Sequence, residues 1–591
     1  MHSMTNQSQP PLNKTKNLSE LIDSPLFQMI LLATLALLAY ANSFQVPFVF
    51  DDESSITENP VVQQLGNFFK WGGYDYLPNR FIGYLSFALN HHFGGFNVAG
   101  YHLVNLVIHI TNGLLVYGLI RLTLRTPFLR HSSASSTLGD GPPTGRTLAT
   151  EQLFIPFVAA LLFVSHPVQT QAVTYIVQRL TSLAALFFLA SLLLHVRWRL
   201  ALQAGAFFWS RSVLPFWILS LISAVLAMKT KEIAFTLPMV VLIYECCFFG
   251  RPNLRRLLSL TPMLSTVTII PLAMLNLDKP AGQILSDVTQ TTLVQASLSR
   301  YEYLCTQFSV IVTYLRLLVL PIDQNLDYDY PPNYSLLEPR AFLSLLLLLA
   351  LLSLAIWLFY RSAGSARQAR HCDGNEPCTA PDPSLRLAAF GIFWFFLTLA
   401  VESSLIPIAD VIFEHRVYLP SVGIFLAVAA CASSASRRWP GGGKFAVPVL
   451  AVTVLALGGA SYARNSDWKN EETLWKDVVA KSPAKARPHA NLGTVYGGQE
   501  RVDDAIREFE AAIALTPEQP ETLSNLVILY VTAGRQQQAA TACGSLLKMD
   551  PGMEKPLKLY QILQMPDVDH EGLRQVRSAC GVASPAATLT K

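Results

Sequence analysis

Three carboxylates stand side by side at Asp51-Asp52-Glu53, directly after the aromatic run Phe48-Val49-Phe50. An apolar stretch long enough to cross a bilayer, Leu26–Phe44, precedes them, which places them at a membrane surface. Ionisable groups are costly there and mark function by default. Like charges so close together raise at least one pKa, which suits a proton acceptor working on a hydroxyl. The bland alternative is a solvated cap that ends the apolar stretch.

Other polar words recur at the ends of apolar runs. His166-Pro167 opens a short turn followed by Gln169, Gln171, Gln178 and Arg179. Lys229-Thr230-Lys231-Glu232 forms a turn between two runs, and Asp327-Tyr328-Asp329-Tyr330-Pro331-Pro332 is acidic, aromatic and rigid. Glu414-His415-Arg416-Val417-Tyr418-Leu419-Pro420-Ser421 leads into another run, while Arg80 and Asn90-His91-His92 lie in the first long loop. Singly, each has a structural reading, because Lys and Arg snorkel and Tyr forms interfacial belts. Together they surround one outer pocket with cations and carboxylates. Such a pocket suits a phosphate-bearing lipid whose sugar passes to an acceptor outside the membrane. A solute pore fits less well, because the charges cluster at loop ends and not at mid-span. His91-His92 lacks a second spaced ligand pair, so no metal is expected. The eight cysteines show no metal-ligand spacing either. Cys246-Cys247 fall inside an apolar run, Cys372 and Cys378 in a basic loop expected to be cytoplasmic and reduced, and Cys543 and Cys580 in a tail where they are able to pair.

The elements that must position these groups follow from composition. Only 14% of the 591 residues are charged and 51% are hydrophobic, against roughly 25% charged in soluble domains. Mean hydropathy is +0.35. A net charge of +4 gives no footprint for nucleic acid. Eleven apolar runs are expected to span: Leu26–Phe44, Tyr101–Leu124, Leu153–Ser165, Ala172–Val196, Val213–Met228, Ile233–Phe249, Leu257–Asn276, Ala341–Tyr360, Leu385–Val401, Tyr418–Ser433 and Phe445–Ala463. Tyr301–Leu320 is interrupted by Glu302 and Arg316 and reads as interfacial or re-entrant. The first run also fits a signal peptide cut after Ala39-Tyr40-Ala41, but the leader's Lys14 and Lys16 are offset by Glu20 and Asp23. With eleven spans, the loops on one side hold 18 Lys and Arg against 7 Asp and Glu, and those on the other 9 against 16. The basic side is expected to be cytoplasmic, with the N-terminus inside and the C-terminus outside.

After residue 464 charges become frequent. Pro483, Pro517 and Pro551 are 34 residues apart, the tetratricopeptide period. Leu492, Gly493, Tyr496, Ala505, Phe509, Ala512 and Pro517 fall on that repeat's signature positions, with His489 where a Trp is usual. The next unit keeps Leu526, Tyr530, Ala539 and Pro551, and Trp475 marks a preceding half-unit. Such hairpins bind peptides or proteins in a groove, or serve as a short docking appendage. The expectation is thus an all-α polytopic membrane protein: a cytoplasmic segment 1–25, a membrane domain 26–463 of about eleven transmembrane helices, and an extracytoplasmic α-hairpin tail 464–591.

At this point the residues resemble a known family. Phe50-Asp51-Asp52 with Asn59-Pro60, and the stretch from Arg80 through Tyr84-Leu85-Ser86 to Gly100-Tyr101-His102-Leu103-Val104-Asn105, match it. So do His166-Pro167-Val168-Gln169-Thr170-Gln171-Ala172-Val173, Lys231-Glu232, Asp327-Tyr328 and the Glu414 to Ser421 word. The chain resembles bacterial relatives of the transmembrane and tetratricopeptide O-mannosyltransferases, in the glycosyltransferase C superfamily. The resemblance implies an outer-face active site, a sugar donor on a polyprenyl phosphate, and one inverting displacement onto a hydroxyl of an exported acceptor, expected to be a protein. It implies that Asp51 or Asp52 is the general base, with the choice open. It assigns the lipid phosphate to Arg179, Lys231 or Arg416, and less directly to Arg80. His102, His166, Glu232, Asp327, Glu414 and His415 complete the expected substrate-binding set. No metal or other cofactor is implied, because a lipid phosphate carries less charge than a nucleotide diphosphate. The expected partners are the lipid-linked sugar, the acceptor, membrane lipids and a protein bound to the repeats. A bacterial inner membrane with periplasmic repeats is the expected location. Gln171 stands where the eukaryotic branch has Glu, and Gln178-Arg179-Leu180-Thr181 replaces its Gly-Arg-x-Asp, so mannose is not carried over. The alternatives are a non-catalytic membrane-anchored scaffold and, behind it, a transporter of lipid-linked sugars.

Overall fold

Long apolar runs without breakers satisfy their backbone polar groups only as helices when no water is near. The computed structural model follows that rule. It describes residues 24–70, 78–130, 145–250, 253–274, 298–368, 382–404, 406–439 and 442–549, and among these there is no strand. Most of the N-terminal segment, Lys14, Lys16, Glu20, Asp23, Cys372, Cys378, Cys580, Pro551 and the end of the run at Asn276 lie outside the described residues.

The longer helices of the membrane body are α1 (Pro25–Ala39), α2 (Phe81–Gly94), α3 (Val98–Thr123), α4 (Gly145–Ser165), α5 (Arg179–Gln203), α6 (Leu214–Met228) and α7 (Leu237–Phe248). They continue with α8 (Leu254–Ser265), α9 (Arg300–Val319), α10 (Pro339–Gln368), α11 (Pro383–Leu399), α12 (Tyr418–Arg438) and α13 (Gly442–Asn465). Six helices are long and apolar enough to cross a membrane, or seven if the pair Phe154–Ser165 and Pro167–Val173, bent by 55°, counts as one broken span. The chain is a multi-pass membrane protein. Fewer helices meet that length than the eleven runs expected, for a physical reason. Three runs fold as shorter apolar helices, Pro25–Ala39, Leu214–Met228 and Pro383–Leu399. Another divides into a 3-10 turn, Glu232–Thr236, and the 12-residue α7. Residues 301–320 form α9, opened by a Ser299–Glu302 capping box, and α9 is not among the six.

The close crossing of α11 and α12 depends on two glycines. A Cβ on Gly391 would lie 2.3 Å from the Gly423 carbonyl oxygen, and one on Gly423 2.2 Å from that of Gly391. Only glycine lets the two backbones approach so closely.

The tail forms five helices, α14 (Glu471–Lys481), α15 (Ala486–Gly498), α16 (Val502–Leu515), α17 (Pro520–Thr532) and α18 (Gln536–Met549), each packed on the next. Gly493 sits where α15 crosses α16, and a Cβ there would meet the Phe509 ring at 3.0 Å. Cys543 is disulfide-bonded. One apolar core fills the membrane body. A second joins Val46, Val49, Tyr101 and Tyr175, from loops and helix ends of the membrane body, to Trp468, Leu474 and Trp475 of the tail. These loops and the first tail helices are therefore one packed layer.

Candidate active site

The polar words of the sequence converge on this layer, but they do different things there. Asp52 is fully buried. Its two carboxylate oxygens accept backbone N–H groups, one from Val49 at 3.1 Å and one from Val177 at 2.7 Å. The carboxyl thus clamps the loop after α1 to the turn before α5. Burial pushes it up to about 8, against the pull of those two N–H donors. The neighbouring Asp51 charge adds to the rise but less than burial does, so desolvation outranks the like-charge effect read from the sequence.

Asp51 is exposed. Its backbone N–H donates to the Tyr175 hydroxyl at 2.9 Å. Enclosure by the surrounding protein still raises its carboxyl above the ordinary value, opposed by Tyr175 and by the Arg487 guanidinium. The residue before it, Phe50, has φ 54°, a left-handed conformation that bulky residues rarely adopt. Phe50 is held there edge-on to Trp475, with ring centroids 5.6 Å apart.

Several expected substrate residues serve as braces. Arg179 is fully buried over the Phe87 and Tyr101 rings. It donates to Asn105 Oδ1 at 2.6 Å, Asn90 Oδ1 at 2.8 Å and the carbonyls of Tyr101 and Ser86. Asn105 in turn donates to the carbonyls of Val173 and Ile176. His102 Nε2 bonds the Val46 carbonyl at 2.9 Å. His166 accepts the Val168 N–H on Nδ1, capping the turn that breaks α4 from the next short helix, and its Nε2 reaches the Leu318 carbonyl. Glu414 is buried and accepts from the Asn325 N–H, the Tyr328 hydroxyl and Gln324 Nε2 at 2.6–2.7 Å. It holds the 324–328 loop in place. Asp327 is buried and pairs with Lys485 and Arg487 of the tail.

The remaining candidates form a charged belt. Arg80 pairs with Glu232 at 3.1 Å, both about one-third exposed. Burial works against the Glu232 charge, but Arg80 holds its carboxyl below the ordinary range. Lys231 is buried, 3.1 Å from Glu402 and 2.8 Å from the Thr181 hydroxyl. Its burial pulls its pKa down, with Glu402 opposing. His415 donates its backbone N–H to Gln171 Oε1 at 2.7 Å, and its Nδ1 bonds the same oxygen at 3.1 Å, while buried Gln171 Nε2 has no hydrogen-bond partner among the described residues. Arg416 directs its two Nη groups to the carbonyls of Val411 and Asp410. The structure thus brings Arg80, Lys231, Glu232, His415 and Arg416 together and uses Asp52, His102, His166, Arg179 and Glu414 to hold the loops. No group of three or more metal-ligating side chains occurs among the described residues. His91 and His92 lie at the end of α2 beside the Phe96 and Phe93 rings.

Sequence reasoning passed over three participants. From sequence, Glu402 and Asp410 are only loop charge, and Arg487 only part of the tail. A carboxylate between two apolar runs, at Glu402, was the available signal for the first. Nothing in the sequence pairs Arg487 with residues so far upstream.

No family model and no solved structure matches the chain. Curated relatives do. It is 25% identical to the protein O-mannosyl-transferase F38B6.6 of Caenorhabditis elegans, over 83% of this chain and 63% of the relative. It is 24% identical to the protein O-mannosyl-transferase Tmtc3 of Drosophila melanogaster, over 83% of this chain and 55% of the relative. It is 25% identical to the human protein O-mannosyl-transferase TMTC2, over 81% of this chain and 61% of the relative. The chain spans little more than half the length of the relatives it matches, and it is a distant relative of their family.

Proposed function

We propose that the chain is an integral-membrane glycosyltransferase that moves a sugar from a polyprenyl-phosphate donor to a hydroxyl of an exported protein at the extracytoplasmic face. The relatives named protein O-mannosyl-transferases support a transferase acting on protein. The loop-charge asymmetry and the disulfide at Cys543 support a tail outside the cytoplasm. All eleven apolar runs cross in this reading, the shorter helices spanning with help from their flanking turns, and the tail helices are tetratricopeptide hairpins. No cofactor takes part.

One observation carries the mechanism: of the adjacent carboxylates, Asp52 is consumed by two backbone N–H groups and Asp51 is exposed. Asp51 is the base. It takes the proton of the acceptor hydroxyl as that oxygen attacks the anomeric carbon. The bond from that carbon to the phosphate oxygen breaks in the same displacement, with inversion, and the lipid phosphate leaves with the electron pair. Arg416 and Lys231 offset its charge, and Arg80 with Glu232 closes the belt. The test is intact-mass comparison of exported proteins from cells carrying the wild type or Asp51→Asn. A mass increment seen with the wild type and missing with the variant is expected. An unchanged increment in Asp51→Asn sinks the base assignment.

A further inference from the structure

The tail does not hang free of the proposed site. Ser482, at the end of α14, donates through its hydroxyl to the Asp327 carbonyl at 2.8 Å and accepts the Asp329 N–H at 2.9 Å. Lys485 reaches the Asp327 carboxylate. Arg487, in the first turn of α15, does more. Its Nε donates to Asp327 Oδ2 at 2.7 Å, and its two Nη groups donate to the Asp410 carboxylate at 2.6 and 3.2 Å. The same guanidinium lies 5.3 Å from the Phe50 ring centroid. One side chain therefore touches three features of the outer face. It neutralises the carboxylate of Asp410, whose carbonyl accepts from Arg416. It fixes the 327 loop. It covers the ring whose left-handed backbone leads directly into Asp51.

We infer that Arg487 is a positioning residue for the transfer reaction, so that the tail completes the active site as well as any groove it offers to a partner. This rests on the transferase reading above. An arginine suits the task because its planar fork satisfies two carboxylates at once while its face packs on an aromatic ring; lysine supplies the charge without the fork. Without the guanidinium, Asp327 and Asp410 near Asp51 and Arg416 share only the Lys485 cation, and Phe50 keeps Trp475 but loses one of the two contacts that hold it in a strained conformation. The cation beside Asp51 also favours its charged form.

The test uses membranes carrying the full chain, a panel of short polyprenyl phosphate hexoses as donor probes, because the sequence does not fix the sugar, and a Thr-containing peptide as acceptor probe. Wild type, Arg487→Met, Arg487→Lys and Asp51→Asn are compared across pH 5 to 9. Resistance to proteolysis shows that each variant is folded. Arg487→Met is expected to lower kcat at least tenfold near neutral pH with under threefold change in the peptide KM. Its acidic limb is expected to move to higher pH, so that part of the loss returns at pH 9, with Arg487→Lys intermediate. An unchanged pH profile in folded Arg487→Met, or a loss equal at every pH, overturns the inference while leaving Asp51 as base. Should Arg487→Met fail to fold, Arg487→Lys carries the same test, and a wild-type profile in it overturns the inference. A silent wild type, or a fully active Asp51→Asn, sinks the transferase reading and this inference with it.

Discussion

The two adjacent aspartates offer the sharpest separation of structure from chemistry. Replacing Asp52 by Asn keeps the shape but converts one acceptor oxygen into an NH2. Asp52 accepts the Val49 and Val177 N–H groups on different oxygens in a fully buried position. One of those N–H groups must then face a donor, and a buried unsatisfied group costs ~1–3 kcal/mol. Asp52→Ala strands both, which doubles the cost to roughly 2–6 kcal/mol. Asp51 is exposed, and an exposed substitution of this kind stays within about 0.5 kcal/mol. The assay is unfolding of the full chain in detergent, followed by heat or by proteolysis. Its pH dependence adds a second check. The folded Asp52 carboxyl sits at about 8 against an ordinary 3.8, so folding takes up a proton. The resulting stabilisation is complete below 3.8, weakens by ~1.4 kcal/mol per pH unit above it, and is gone above about 8. Asn does not titrate, so the stability gap between wild type and Asp52→Asn should narrow as pH rises from 5 to 8. Asp51→Asn proving the less stable variant, or a gap that widens with pH, would refute the clamp.

Three other outcomes follow from the same geometry. Gly391→Ala or Gly423→Ala puts a methyl 2.2–2.3 Å from a carbonyl oxygen of the facing helix, so either should cost about 1–3 kcal/mol or more and lower the yield of folded protein in detergent. Lys231→Met leaves Glu402 without its cation in a buried setting; the melting temperature should drop by the equivalent of about 3–5 kcal/mol, and Lys231→Arg should recover part of it. Glu414→Gln removes one of the acceptors that hold Asn325, Tyr328 and Gln324, and hydrogen exchange at residues 324–330 should accelerate while exchange in α11 stays unchanged.

The all-helical membrane class, the gathering of the loop-end polar residues and the helical character of the tail were legible in the sequence because hydropathy and residue spacing are local signals. Gly493 against Phe509 shows this well, since the repeat pattern places a small residue where two helices cross. The division of labour among the polar residues was not legible. Asp51 and Asp52 are chemically identical neighbours, and only the three-dimensional position of the Val177 N–H, 125 residues away, separates clamp from exposed acid. Arg179 looks like a phosphate ligand beside a membrane, yet the acceptors of Asn105, Asn90, Ser86 and Tyr101 occupy it. Those partners lie on other helices, and no spacing rule reveals them. Fewer helices reach full spanning length than there are apolar runs for a related reason. Hydropathy counts apolar residues but does not register where prolines and polar turns, as at Lys231-Glu232, shorten the helix.

The charges of the belt also order the events of donor binding under the proposed chemistry. At a membrane surface a lone cation loses hydration, so a resting site holds its cations in pairs. Arg80 has Glu232, Lys231 has Glu402, and Arg487 has Asp327 and Asp410. A lipid phosphate approaching any of these must compete with a carboxylate already in place. Arg416 differs in degree: its Nη groups rest on carbonyls, weaker acceptors than a charged oxygen, and the Glu402 and Asp410 carboxylates act on it through space without a hydrogen bond of their own. The phosphate therefore gains most by engaging Arg416 first. Lys231, whose burial already disfavours its charge, gains from a second anion nearby and follows.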